Sequence, residues 1–238
     1  MSEARVLVVQ HFPADAPWYI CDAISKAGCM QDLRDVGHGA ELSDSLEGYS
    51  GLVVLGGPQA AAHASDEYPT LDQEIALFQE AHTLGMPALG VCLGAQVLAR
   101  AAGGEVRPGE HGKEIGWLPI KFTPEGQSHP LFANGSTQPI VLHCHGDTFS
   151  LPSDITLLAT SDKYPQIFEW GSCIGLQPHF EVHTMVGIDA FLSAFPDEAE
   201  LVAGGAETIR GMSQEGIDDL SEAREFLFNT WALSVSNE

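Results

Sequence analysis

The sequence predicts an α/β three-layer sandwich with a mainly parallel central sheet. Short and uniformly apolar segments at residues 5–10, 51–55 and 88–91 have the composition of strands that are covered on both faces. A segment with helical character follows each of them. Buried strands that alternate with helices are typical of a parallel sheet between two helical layers.

The remaining elements follow from periodicity and from the residues that end helices. Helices are predicted at residues 18–28, 70–84 and 94–102. Further strands are predicted at residues 115–123, 139–144, 156–161 and 173–177, and the lack of long helices between them predicts some antiparallel pairing. Two helical stretches, 184–195 and 197–233, complete the chain, with breaks near Pro196, Gly204-Gly205 and Gly216. Since no linker is evident, we expect residues 1–238 to form a single domain with an acidic helical extension from about residue 190.

Composition and charge exclude several classes of function. The chain has 238 residues, and 10 Lys and Arg stand against 33 Asp and Glu, a formal charge of −23. Such acidity argues against binding to nucleic acid or to an anionic membrane. The apolar stretches are too short to span a bilayer or to form a signal peptide. The five cysteines are odd in number, and their spacings fit no zinc pattern such as C-x-x-C. Free thiols in a reducing cytoplasm are the simplest interpretation of these cysteines, so we expect a cytoplasmic protein.

Cys92 occupies a sharp turn between a predicted strand and a predicted helix, in the segment G-V-C-L-G (90–94). The flanking glycines remove side chains that would collide in such a turn. At the start of a helix, unpaired backbone amides and the positive end of the dipole favour a thiolate. The pattern is the cysteine counterpart of the serine nucleophile elbow and predicts a nucleophile, with a buried structural cysteine as the alternative.

A nucleophilic cysteine needs a base and a group that orients the base. His179 follows an apolar strand, and Glu181 lies two residues on, so both side chains project to the same side of an extended segment. Since strand ends meet at one edge of a parallel sheet, His179 is expected to meet Cys92 there. Six other histidines are expected in loops or on helical faces: His11, His38, His63, His82, His111 and His129.

Acyl transfer also requires amide donors for an oxyanion. The backbone N–H of Leu93, directly after the cysteine, is one candidate. Gly57, in the turn Gly56-Gly57-Pro58 after the second strand, is the other. A plain tight turn is the alternative interpretation of that segment.

Together these motifs resemble those of the class I glutamine amidotransferases. The resemblance rests on G-V-C-L-G-A-Q (90–96), on the earlier L-G-G-P turn (55–58) and on the later G-L-Q-P-H-F-E segment (175–181), in the family's order and spacing over roughly residues 50–185. The stretch K-E-I-G-W (113–117) is similar to that of stand-alone members close to the glutaminase subunit of GMP synthetase and to the γ-glutamyl peptidases. The resemblance implies a flavodoxin-like fold.

The resemblance also implies roles for individual residues. Cys92 becomes the nucleophile, His179 the base and Glu181 its orienter, while Gly57 and Leu93 become the oxyanion donors. Gln96 would contact the bound glutamine, and His145 and Asp147, in H-C-H-G-D (143–147), would line its pocket. One departure is that the family usually has Phe-His-Pro-Glu, whereas this chain has Pro178-His179-Phe180-Glu181.

The implied activity is hydrolysis of the glutamine side-chain amide through a γ-glutamyl thioester, without a cofactor. The sequence given contains no nucleotide-binding G-x-x-x-x-G-K-[ST] loop, so any ammonia acceptor is expected on a separate synthetase polypeptide. A γ-glutamyl peptidase and a non-catalytic protein on the same fold are alternatives. A metal hydrolase is the least favoured, because His143-Cys144-His145 and His179-x-Glu181-x-His183 do not match H-E-x-x-H, and we expect no metal.

Overall fold

The computed structural model describes residues 4–12, 18–63, 66, 68–133 and 135–236. The strands in this part of the chain are β1 (Arg5–Gln10), β2 (Met30–Asp35), β3 (Gly51–Val54), β4 (Ala88–Val91), β5 (Val106–Pro108), β6 (Glu114–Pro119), β7 (Lys121–Phe122), β8 (Ile140–His145), β9 (Asp147–Phe149), β10 (Thr156–Thr160), β11 (Pro165–Trp170) and β12 (Cys173–Leu176). The helices are α1 (Trp18–Lys26), α2 (Leu71–Leu84), α3 (Leu93–Ala101), α4 (Pro124–Ser128), α5 (Met185–Ala194), α6 (Pro196–Ala199), α7 (Gly205–Asp219) and α8 (Ser221–Ser236).

The central sheet has eight strands in the order β2-β1-β3-β4-β12-β11-β10-β7. Pairing is parallel from β2 to β12 and antiparallel from β12 to β7. Two smaller antiparallel ladders, β5 with β9 and β6 with β8, stand beside it. The predicted fold class, a mainly parallel sheet with antiparallel strands in the second half, is therefore confirmed.

Alternate residues of the buried strands enter two different cores. In β1, Val6 and Val8 pack on the side of α1 and α8, whereas Leu7 and Val9 pack on the side of α2 and α3. All four side chains are fully buried. Because alternate residues are buried on opposite faces of the sheet, the strand is apolar at every position. The two cores separate the sheet from a helical layer on each side, which gives three layers.

The structure differs from the sequence prediction in several elements, and the short β5, β9 and α4 are among those that were not predicted. The edge strand β2 was not predicted, since its sequence M-Q-D-L-R-D is mostly polar and partly exposed and it is fixed by backbone pairing with β1. Strand β11 was also not predicted. Helix α7 continues through Gly216 to Asp219, because that glycine lies against the Trp117 ring, where a Cβ would come within 2.6 Å of Cε3.

None of the helices that the structure describes is both long enough and apolar enough to cross a membrane. The long C-terminal helix α8 instead packs on α1, with Phe228 and Trp231 buried in the core.

Candidate active site

Cys92 lies in a strained turn between β4 and α3. Its φ of 52° and ψ of −105° make it the one non-glycine residue with positive φ among the residues described. A side-chain-bearing residue in such a region costs on the order of 1–3 kcal/mol and persists only where the surroundings enforce it. The strain directs the thiol out of the sheet at the start of a helix, as the predicted elbow requires.

The two flanking glycines are required by close backbone packing. A Cβ on Gly94 would overlap the carbonyl oxygen of Val54 in β3 and lie 2.7 Å from its carbonyl carbon. A Cβ on Gly90 would overlap the backbone of Gly94, with the nitrogen of Ala95 at 2.9 Å. Any side chain at either position would therefore push α3 away from the strands that position Cys92.

His179 and Glu181 form a buried pair next to this thiol. The Nδ1 atom of His179 lies 2.7 Å from Oε1 of Glu181, and each side chain is 3% exposed. The backbone N–H of His179 donates to the carbonyl oxygen of Leu142 in β8 at 2.8 Å, which fixes the segment after β12. The displaced proline of the Pro178-His179-Phe180-Glu181 order thus leaves the His–Glu contact intact.

The electrostatic surroundings favour the imidazolium form of His179. Burial by itself would lower its pKa, but the charge of Glu181, the charge of a Cys92 thiolate and hydrogen bonds to both raise the pKa well above its usual value. A carboxylate on one ring nitrogen and a sulfur on the other is the arrangement of a thiolate–imidazolium pair.

A cavity of about 220 Å³ opens beside the thiol. It is lined by most of the residues that the sequence singles out: Gly57, Cys92, Leu93, Gln96, His145 and Asp147. Lys113 also borders it, together with Phe195 and Glu198, and the Lys113 ammonium pairs with the Glu198 carboxylate at 2.6 Å. Phe195 and Glu198 come from the C-terminal helical region, which the sequence analysis did not connect with the site.

Gln177 is a further residue at the thiol that the sequence analysis did not select. Its side-chain Nε2 lies 3.7 Å from Sγ of Cys92, and its Oε1 accepts from Nε2 of Gln96 at 3.3 Å. Gln177 is fully buried, so its amide contacts Cys92 and Gln96 and does not face solvent. The sequence contained a signal for Gln177. It is a polar residue directly after an apolar strand and two positions before His179, so it lies at the same edge of the sheet.

A buried network supports the turn that contains Gly57. His11 was expected to be one of the ordinary loop histidines, but its side chain is 1% exposed and contacts both Oε1 and Oε2 of Glu74, at 2.9 and 3.1 Å. Its other ring nitrogen lies 3.3 Å from the carbonyl oxygen of Gly56. Tyr68 donates a hydrogen bond to Oε2 of the same carboxylate at 2.7 Å. The network links α2 to the candidate oxyanion turn.

The H-C-H-G-D segment lies along the opposite wall. Nδ1 of His145 is 2.9 Å from the backbone carbonyl oxygen of Asp147. His143 lies behind it, with ring centroids 5.8 Å apart, and is fully buried. Burial lowers the pKa of His143 to about 3, so its ring is neutral.

The C-terminal helix α8 contributes a buried cation behind the His–Glu pair. Arg224 is 4% exposed and donates from Nη1 to the carbonyl oxygen of Val182 at 3.2 Å and from Nη2 to that of Ile217 at 3.1 Å. Burial lowers the pKa of Arg224, and the charges of neighbouring groups, Glu181 among them, offset part of this effect.

Comparisons with known proteins identify relatives of this chain. The chain is 36% identical over 147 residues to the glutamine amidotransferase-like protein YfeJ of Salmonella typhimurium, covering 60% of this chain and 61% of that protein. It is 34% identical over 196 residues to a glutamine-hydrolyzing GMP synthase of Streptococcus thermophilus, covering 79% of this chain and 35% of the synthase. The chain thus spans less than two thirds of the length of these relatives.

A solved glutamine amidotransferase from Thermotoga maritima superimposes with a TM-score of 0.86 at 30% identity, over 98% of this chain and 99% of the other. The profile of the family described as "Glutamine amidotransferase class-I" matches residues 14–196. That range includes the elbow, the cavity wall and the His–Glu pair, so the chain belongs to the class I glutamine amidotransferase family.

Proposed function

We propose that this chain hydrolyses the side-chain amide of glutamine to glutamate and ammonia, with Cys92 as nucleophile. The observation that carries the proposal is the strained turn at Cys92, with a φ of 52°, beside a buried histidine that is charge-stabilised on its other side by Glu181. A structural cysteine has no need of either feature.

The residues supply each step of the reaction. The Cys92 thiolate attacks the amide carbon, and the resulting oxyanion is stabilised by the backbone N–H groups of Gly57 and Leu93. The His179 imidazolium donates its proton to the departing nitrogen, which leaves as ammonia, and a γ-glutamyl thioester remains. Neutral His179 then takes a proton from water, whose oxygen attacks the thioester and releases glutamate and the thiolate.

The cavity supports a small substrate. A volume of about 220 Å³ lies below the range of about 300–1,000 Å³ that is common for ligand pockets, and it suits an amino acid better than an extended peptide. Gln96 lines the cavity and would contact the bound glutamine, while His145 and Asp147 would line or support its pocket.

The test is glutamate release from glutamine by the purified chain, with Cys92→Ala as the inactive variant. Cys173→Ala is a matched control, since Cys173 is a fully buried residue of β12 that does not line the cavity. Steady release that is lost in Cys92→Ala and kept in Cys173→Ala supports the proposal. Turnover of γ-glutamyl peptides but not of glutamine would replace it with the peptidase alternative, and absence of both activities would contradict hydrolysis by this chain alone.

A further inference from the structure

Three buried side chains at the cavity wall bring their polar atoms together. His143 and His145 are alternate residues of β8, and Glu114 lies directly opposite His145 on the antiparallel strand β6. One nitrogen of each histidine and one carboxylate oxygen all lie within 4.8 Å of one another. The three residues are 0%, 6% and 4% exposed, respectively.

The hydrogen bonding of His145 leaves one ring nitrogen directed at the carboxylate. Its Nδ1 lies 2.9 Å from the Asp147 carbonyl oxygen, which can only accept, so Nδ1 carries a proton. Its Nε2 lies 3.1 Å from Oε2 of Glu114, yet makes no hydrogen bond of acceptable geometry with any residue described. Two atoms at this separation and without hydrogen-bond alignment suit two ligands of one cation.

His143 provides the second observation. It is fully buried, and neither of its ring nitrogens makes a hydrogen bond of acceptable geometry within the described chain, although the Leu118 backbone lies nearby. A buried polar group without a partner destabilises the fold. Since the imidazole is directed into the same cluster, a metal ion would satisfy its lone pair.

The surroundings also resemble those of protein metal sites. The Asp147 carbonyl orients His145, and Nε2 of Gln166 donates to Oε2 of Glu114 at 2.7 Å. Outer contacts of this kind fix the tautomer of a ligand histidine and the direction of a ligand carboxylate. Two imidazoles and one carboxylate are a common ligand set for zinc, with a fourth position left for water.

We propose that Glu114, His143 and His145 form a three-ligand site for Zn²⁺, separate from Cys92 and His179. The ion would join β6 to β8, the strand whose Leu142 carbonyl holds the backbone of His179. The sequence analysis expected no metal because the H-C-H pattern does not match H-E-x-x-H, and it did not connect Glu114 of the K-E-I-G-W segment with these histidines. The site does not depend on the proposed glutamine hydrolysis.

The test measures binding directly. The Cys92→Ala chain, which removes the competing thiolate, is stripped with EDTA, dialysed and titrated with Zn²⁺ against a chromophoric chelator. We expect one Zn²⁺ per chain and a raised midpoint of thermal unfolding, and Co²⁺ should give a spectrum without thiolate charge-transfer bands. Glu114→Gln and His143→Phe, each in the Cys92→Ala background, should weaken binding at least tenfold.

His129→Gln is the matched control, since His129 contacts Glu169 at 3.1 Å and neither residue lines the cavity. It should leave Zn²⁺ affinity unchanged. Circular dichroism identifies a variant that fails to fold, and the near-isosteric Glu114→Gln then decides the result. Absence of stoichiometric binding by the Cys92→Ala chain, or binding that is unaffected by Glu114→Gln, would overturn the proposal and leave a hydrogen-bonded cluster instead.

Discussion

Replacing Glu181 with glutamine tests the electrostatic basis of the proposed site. The carboxylate accepts from Nδ1 of His179 at 2.7 Å, and both side chains are 3% exposed. The amide oxygen of glutamine can accept the same hydrogen bond, so Glu181→Gln removes the charge while nearly preserving shape. Any change in the titration of His179 then reports the charge.

The magnitude follows from Coulomb's law. Two unit charges about 4 Å apart interact by roughly 4 kcal/mol at an effective dielectric constant of about 20. At about 1.4 kcal/mol for each pH unit, the full effect is about three pH units. The pKa of His179 is raised in the native protein, so its imidazolium persists above the pH at which a free imidazole deprotonates. Without the Glu181 charge that pKa falls, and the thiolate–imidazolium pair is lost at a lower pH.

Two assays measure this change. The alkaline limb of the pH profile of kcat/KM should move down by about two to three pH units in Glu181→Gln, and kcat near neutrality should fall by about 10²–10⁴. The pH at which iodoacetamide alkylates Cys92 at half its maximal rate, followed by mass spectrometry, should instead move up, because a thiolate without its imidazolium partner forms only at higher pH. This assay requires no turnover. Glu169→Gln is the control, because that carboxylate pairs with His129 at 3.1 Å outside the cavity. An alkaline limb that stays in place in Glu181→Gln would refute this account of His179.

Three further results are expected. Gly94→Ala should lower the free energy of unfolding, measured in urea, by about 1–3 kcal/mol or more, because the new Cβ would overlap β3. Gly211→Ala in α7 should raise it by about 0.5–1 kcal/mol, because the new Cβ would meet no described atom within 4 Å outside the nearby backbone of its own helix. Tyr68→Phe should cost about 1–3 kcal/mol in the same assay by removing a buried hydrogen bond to Glu74, and no loss would show that the network is not needed for the fold. Since folding raises the pKa of His179, its contribution to the free energy of unfolding is complete below about pH 6.5 and should decline as the pH rises through the folded-state pKa. Urea midpoints measured at increasing pH check this decline.

The central strands were predictable because burial on both faces leaves a signal in composition. The segment 88–91 is apolar at every position except its glycine, and the structure places each of these residues in the core. Strand β2 carries no such signal, since it lies at the sheet edge and is specified by backbone pairing with β1. Sequence patterning reports the environment of side chains, and an edge strand is held mainly by its main chain.

Individual site residues were easier to predict than their supports. Cys92 and His179 stand in short motifs next to recognisable strands, so local sequence was sufficient to select them. The partner of His11 is Glu74, 63 residues further along the chain, and only the packing of α2 against the sheet brings the two together. Local spacing has no information about such a pair, which is why the histidine was assigned to an ordinary loop.

The acidic C-terminal region shows the same limit at the scale of a whole element. Its composition predicted an acidic helical extension, yet α8 carries the buried guanidinium of Arg224 to the carbonyl oxygen of Val182, next to Glu181. Burying a carboxylate is costly, and Oε2 of Glu181 has no hydrogen-bond partner among the residues described. A nearby buried cation offsets part of that cost and favours the ionised carboxylate, which in turn favours the imidazolium form of His179. Because Arg224 lies beyond residue 196, where the family match ends, the electrostatics of the proposed triad depend on a helix outside the motifs that identify it.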